Sequence, residues 1–233
     1  MPKTKKTVLF IVEGSSDKVA LEKIFKEIYK ANKNIIYKYT RGDITSDENI
    51  TESNVCDKIY KILKEYMDDR KLTKKNIWQI VLITDMDGAY VPESALKEGK
   101  TKEFVYSSTS IECNNIDKIK VRNERKSKLI DFLLKINEIN AIPFEMYYMS
   151  SNLDHALYNE QNLNDDRKQL YSDAFHETFE GKEYLFINFL YSDVVNGVPD
   201  CYPKSWSYIK SGLHSLERHT NLHIYFIKNP VLE

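Results

Sequence analysis

The stretch Thr7-Val8-Leu9-Phe10-Ile11-Val12-Glu13-Gly14-Ser15-Ser16-Asp17 decides the fold. Its first six residues are β-branched, aliphatic or aromatic without a break. Such a run reads as a strand buried on both faces, the mark of a parallel sheet covered by helices. Glu13 and Gly14 end it. Ser15 or Ser16 supplies a helix cap, and Val19, Ala20, Ile24, Phe25 and Ile28 recur at helical spacing to about Ala31. Ile35–Tyr39 reads as a second strand and Arg41–Glu52 as a polar loop. Val55, Ile59, Ile62, Leu63 and Tyr66 mark an amphipathic helix over about Ser53–Asp69. Ile77–Thr84 is another unbroken apolar strand, closed by Asp85-Met86-Asp87-Gly88. The βαβαβ order predicts an α/β fold with a mostly parallel, Rossmann-like sheet flanked by helices.

Beyond Gly88 the pattern is less regular. Ala89–Thr101 reads as a loop, Glu103–Tyr106 as a short strand, and Ile116–Ile136 as a helix that is basic at its start. Pro143–Met149 is an aromatic strand. Helices are expected over Arg167–Glu177, Glu183–Asp193 and Trp206–Arg218, with a final strand at His223–Ile227. These spans predict a core over residues 1–155 with an insertion around 89–140. A mainly helical C-terminal extension over 156–233 packs on it.

Lys and Arg number 34 against 35 Asp and Glu, so the net charge of the 233-residue chain is −1. A generic basic nucleic-acid binder is excluded, and any nucleic acid must be met by a local patch. Hydrophobic residues at 42% exclude a disordered chain. Cys56, Cys113 and Cys201 lie far apart and fit neither a zinc motif nor a disulfide framework, which suits reduced thiols in a cytoplasm. No apolar run approaches the ~18 residues of a membrane span, so no membrane partner is expected.

The chemistry sits where the strands end. Glu13 follows the first strand and Asp85 and Asp87 close the third. In open α/β sheets the carboxyl ends of strands form the ligand crevice, at the point where strand order reverses. Carboxylates gathered there repel one another unless a cation lies among them. Hard oxygen ligands select Mg²⁺ or Mn²⁺. Asp17, four residues after Glu13, brings another carboxylate to the same side, and Gly14 and Gly88 leave room beside the acids. Taken singly, each acid reads equally as a cap or turn residue; their pairing at two buried strand ends points to a metal site.

Other candidates are weaker. Asp154 and His155 follow a strand and could shuttle a proton, but a helix start capped by Asn152, with Asp154 complementing the dipole, is the preferred reading. The run Lys118, Lys120, Arg122, Arg125, Lys126 and Lys128 is the phosphate-binding candidate. Arg122 shares a helical face with Arg125 or Lys126, though a solvated face is the plainer reading for any one of them. His214, His219 and His223 read as ordinary histidines, and Trp206, Tyr202 and Tyr208 as packing residues.

Ile11–Asp17 resembles the first Toprim motif, a hydrophobic strand followed by Glu-Gly, and Leu82–Gly88 resembles the second, Asp-x-Asp. The resemblance covers Thr7–Asp87 well and Pro143–Met149 loosely. It implies that Glu13 is a general acid/base or metal ligand and that Asp85 and Asp87 bind Mg²⁺. Asp17 matches an acidic ligand of OLD-like nucleases, which also use a basic residue from a later segment; Lys204 and Lys210 are the candidates. The chain is too short for a topoisomerase and has no primase accessory regions. It is most similar to small stand-alone Toprim proteins of bacterial phage defence, including abortive-infection proteins. Met149–His155 also resembles the Ser-Asn element of RloB-like members. The resemblance implies a metal-dependent nuclease acting on DNA or RNA. The alternative is a Toprim-fold effector or binding module regulated by a partner ATPase and inactive alone. Phosphoryl transfer to a small nucleotide is a third use of the same site.

Overall fold

A computed structural model describes residues 5–40, 42–195 and 197–230. The strands are β1 (Thr7–Val12), β2 (Asn34–Tyr39), β3 (Ile77–Asp85), β4 (Leu96–Glu98), β5 (Val105–Tyr106), β6 (Ile111–Cys113), β7 (Glu138–Ile139) and β8 (Ile142–Met149). The helices are α1 (Ser15–Tyr29), α2 (Val55–Asp69), α3 (Ile116–Leu133), α4 (Leu153–Tyr158), α5 (Asp165–Phe179), α6 (Glu183–Tyr191), α7 (Tyr202–Ile209) and α8 (His223–Lys228). The main sheet runs β2-β1-β3-β8-β7. Strands β2, β1, β3 and β8 are mutually parallel, and β7 closes the edge antiparallel. The α/β class with a mostly parallel, helix-flanked sheet is the one the sequence predicts.

Alternation along the strands feeds two cores. Val8, Phe10, Val12, Val81 and Ile83 face α1, α5, α6 and α8, while Leu9, Ile11, Ile80 and Leu82 face α2, α3 and α7. Each fully buried large side chain contributes roughly 1.5–3 kcal/mol. The first core is aromatic: Phe10 stacks on Tyr37 at 4.8 Å and meets Phe25 edge-on at 4.9 Å.

Strand β1 sits between β2 and β3. The α1 connection therefore steps to one side of β1 and the α2 connection returns across it. Strand order reverses between β1 and β3, which makes their carboxyl ends the switch point. Inside the expected insertion, β4, β6 and β5 form a separate three-stranded sheet over a small core of Ile111, Cys113, Ile119 and Leu216. Gly88 permits this docking: a Cβ there would lie 2.6 Å from Ile111 Cδ1 and 2.8 Å from Leu216 Cδ2.

Several boundaries differ from the sequence reading. His223–Ile227 is helix, not strand; its buried stretch is only the four residues His223–Phe226, too short for a period to separate the two. The helix expected over Trp206–Arg218 is α7 alone, over before Gly212 takes a left-handed φ of 56°, with a 3-10 turn at His214–Leu216 beyond. Helix α3 stops at Leu133 rather than Ile136. Ala89–Thr101 holds a 3-10 turn and β4. Among the described residues no helix is long and apolar enough to cross a membrane.

Candidate active site

The carboxyl ends of β1 and β3 open into a cleft of about 780 Å³. Glu13, Asp17, Asp85, Asp87 and Asp154 line one side, and the segments 103–106 and 161–165 line the other with Lys168.

Each acid is held by a backbone that the strand ends supply. Glu13 Oε1 accepts from the Asp85 amide at 3.0 Å and from Thr84 Oγ1 at 3.3 Å, which ties the ends of β1 and β3 together. Asp85 Oδ1 accepts from the Leu153 amide at the start of α4, at 2.9 Å. Asp17 Oδ2 accepts from the Gly14 amide at 2.8 Å, closing the first turn of α1. Asp87 has a left-handed φ of 50°, and its amide donates to the Ser151 carbonyl at 2.6 Å. Ser151 is itself left-handed, at φ 57°. Two such residues braced against each other are the kind of backbone strain that marks functional turns.

A lysine stands among these acids. Lys126 is fully buried, and its Nζ lies 2.6 Å from Asp43 Oδ2, 2.8 Å from Asp87 Oδ2 and 3.8 Å from Glu13 Oε1. Oxygens of Glu13, Asp43 and Asp87 lie within 4.8 Å of one another, the spacing of a metal-ligand set. Asp43 is further satisfied by the Thr45 amide at 2.7 Å, the Thr45 hydroxyl and the Ser46 hydroxyl. One turn before Lys126, Arg122 Nη1 lies 3.6 Å from Asp87 Oδ2 and donates to the Tyr106 hydroxyl at 3.1 Å.

The charges divide into two groups. Burial alone would raise the Asp43 pKa, but Lys126 and the two hydroxyls bring it down to about 2. Burial would strip Lys126 of its proton, yet Asp43, Asp87 and Glu13 hold it charged, well above the usual lysine value. On the other side, burial and then the charges of Glu13 and Asp17 push Asp85 well above the carboxylate range. Burial also raises Asp17. Asp154 rises to about 6 by burial, offset in part by Lys168. Glu13, between the groups, is raised well above its ordinary value by burial and Asp43, against the pull of Lys126. Glu13, Asp17, Asp43, Asp85, Asp87 and Asp154 therefore face Arg122, Lys126 and Lys168, and Lys168 also pairs with Asp165 at 3.0 Å. Asp154 Oδ1 is buried without a hydrogen-bond partner.

All four acids expected at a metal site, Glu13, Asp17, Asp85 and Asp87, meet in this crevice, although only Glu13 and Asp87 belong to the tight three-carboxylate set. The basic run on α3 is divided. Arg122 and Lys126 turn inward; Arg125 donates to the Ser46 carbonyl at 3.0 Å; Lys118 donates to the Lys102 carbonyl, Lys120 pairs with Glu93 and Lys128 with Glu124. Lys204 is exposed and Lys210 pairs with Asp131 at 2.5 Å. The basic residue among the acids is Lys126.

Sequence reasoning missed Asp43, which lies four residues past the end of β2, in the loop at the same end of the sheet as Glu13. Asn152 caps α4 as expected, accepting from the His155 amide at 2.8 Å, and Asp154 lines the cleft as well. His155 is buried beside Arg218 and His219, and its pKa falls to about 4, burial being the larger cause. His214 and His219 pair with Glu217, His223 pairs with Asp200, and Trp206 packs edge-on against Tyr148. Comparison of the chain with protein-family models, curated proteins and solved structures returns no match.

Proposed function

We propose that the chain is a divalent-metal-dependent nuclease of the Toprim type, hydrolysing phosphodiester bonds of DNA or RNA. One observation carries the reading: Glu13, Asp17, Asp85, Asp87 and Asp154 line the switch-point crevice, Asp43 joins Glu13 and Asp87 behind it, and Arg122, Lys126 and Lys168 do not offset them all. The donor set fits a hard ion. It is all oxygen and largely buried, and Asp154 Oδ1 has no partner within the protein. Asp85, Asp17 and Glu13 would hold Mg²⁺ or Mn²⁺. Asp87, expected among the ligands, and Asp43 are engaged by Lys126. Bound there, the ion supplies Lewis-acid stabilisation of the phosphodiester and a more acidic water.

The protein's own groups take the remaining roles. Glu13 has a raised proton affinity and is fixed by the Asp85 amide, so it suits the base that takes a proton from the attacking water. Lys126 and Arg122 fix Asp87, and Lys126 lies 3.8 Å from Glu13 Oε1, the oxygen that the Asp85 amide holds. Lys168, half-exposed on α5 and paired with the exposed Asp165 at 3.0 Å, would meet a substrate phosphate. The setting in phage defence and regulation by a partner ATPase enter the proposal through the Toprim resemblance alone.

The test is incubation of the purified protein with plasmid, single-stranded DNA and total tRNA, with and without Mn²⁺. Metal-dependent cutting that Glu13→Gln abolishes is expected. Cutting that survives Glu13→Gln overturns the reading, and inertness of the isolated protein towards all three favours the ATPase-regulated module.

A further inference from the structure

The crevice occupies one end of the strands, and the opposite end is basic. The segments leading into β1, β2 and β3 are Lys5-Lys6, Lys30-Ala31-Asn32-Lys33 and Arg70-Lys71-Leu72-Thr73-Lys74-Lys75-Asn76. They hold eight cations and no carboxylate, with Asp68 and Asp69 just before Arg70 and Lys30 paired with Glu27. Thr7 is in register with Asn34 on one side and Ile77 on the other, so the three segments enter the sheet along one edge. Trp78 stands at that edge, 48% exposed. Lys6 Nζ and Lys33 Nζ lie 5.3 Å and 5.9 Å from the centre of its ring. Lys33 is steadied there by Asn229 Oδ1 at 2.7 Å. In a chain of net charge −1, nothing in the composition requires this concentration of charge, and nothing in the packing requires an exposed indole.

We propose that this edge binds single-stranded nucleic acid, with Trp78 stacking on a base while Lys6, Lys33 and the neighbouring cations meet the phosphates. Stacking on an exposed aromatic needs an unpaired base face, which a duplex hides, and the flanking ammonium groups follow the backbone. The surface lies about 23 Å from Asp85 along β3, at ~3.3 Å per residue. It is therefore a holding site distinct from the crevice, and it needs no metal.

The chain has two tryptophans, and Trp206 is buried at 3% exposure, so fluorescence quenching reports on Trp78. The full-length protein is titrated with oligothymidylate in EDTA across a range of salt. Saturable quenching is expected, with affinity falling by a log–log slope of about −0.7 per phosphate contact. With fluorescein-labelled oligothymidylate read by anisotropy, which does not depend on the indole, Trp78→Ala weakens binding about tenfold, and the Lys6→Ala, Lys33→Ala double variant lowers the slope by about one to two. Absence of quenching, or unchanged affinity and slope in the variants, overturns the proposal. So does tighter binding of blunt duplex or of anionic phospholipid vesicles than of the oligomer. Because EDTA blocks metal chemistry, failure of the nuclease reading leaves this result standing, and the reverse also holds.

Discussion

Asp154 lines the crevice and Asp43 stands behind it, within 4.8 Å of Glu13 and Asp87, yet Asp43 is driven down to about 2 and Asp154 up to about 6. Burial acts on both in the same direction. The difference is the partner: Asp43 has the Lys126 ammonium at 2.6 Å, whereas Asp154 has only the half-exposed Lys168 at 3.9 Å. The fold supplies an internal cation to one half of the cluster and leaves the other half over-charged. A buried carboxylate without a counter-ion raises the energy of the folded state, so the half holding Asp17, Asp85 and Asp154 is where an external cation gains most.

The largest effect belongs to the compensated half. Lys126→Met leaves Glu13, Asp43 and Asp87 facing one another with only Arg122, 3.6 Å from Asp87, as a cation. Removing one partner of a buried ion pair costs about 3–5 kcal/mol, read as a lower denaturant midpoint, and adding Asp43→Asn to Lys126→Met restores part of it. An unchanged midpoint would show that Lys126 does not neutralise the acids.

Titration separates the halves by sign. Asp154 binds its proton more tightly folded than unfolded, so wild-type stability falls as pH rises from about 4 to about 6, by roughly 2–3 kcal/mol. Asp154→Asn flattens that window. Asp43 behaves oppositely: its contribution, about 2 kcal/mol, is present above pH 4 and is lost as pH falls towards 2, and Asp43→Asn flattens that lower window instead. Urea midpoints across pH check both, and identical profiles for the two variants would erase the distinction.

Asp85→Asn removes a repelling charge. In EDTA its melting temperature equals or exceeds that of wild type. Wild type at a Mg²⁺ concentration 100-fold above Kd gains about 2.7 kcal/mol that the variant lacks. A large loss in EDTA would make Asp85 a structural cap of α4. The smallest effect is at Lys128, an exposed residue paired with Glu124 on α3: Lys128→Ala leaves the melting temperature unchanged, in contrast to Lys126 two residues away. A clear drop would return the whole run to a single functional face.

The sequence disclosed what depends on contiguous residues. Val8–Val12 and Ile80–Ile83 are unbroken apolar runs, so the two central strands and the acids that close them could be read directly, and the four-residue step from Glu13 into the helix added Asp17. What escaped depends on distant segments. Lys126 and Arg122 share a helical face that reads as solvated; burying an ammonium needs carboxylates from three separate loops, and no local pattern records that convergence. Asp43 lies in a polar loop where Asp and Ser read as turn chemistry. The helix at His223–Lys228 escaped because its buried apolar stretch, His223–Phe226, is too short to show a period.

Calorimetric titration with Mn²⁺ of wild type, Asp85→Asn and Asp43→Asn tests the central claim most directly. Wild type should bind the ion, Asp85→Asn should bind at least about tenfold more weakly, and Asp43→Asn should retain binding, because Lys126 and not the metal engages Asp43. No binding by wild type, or binding lost in Asp43→Asn and spared in Asp85→Asn, would contradict the assignment of the metal to the uncompensated half.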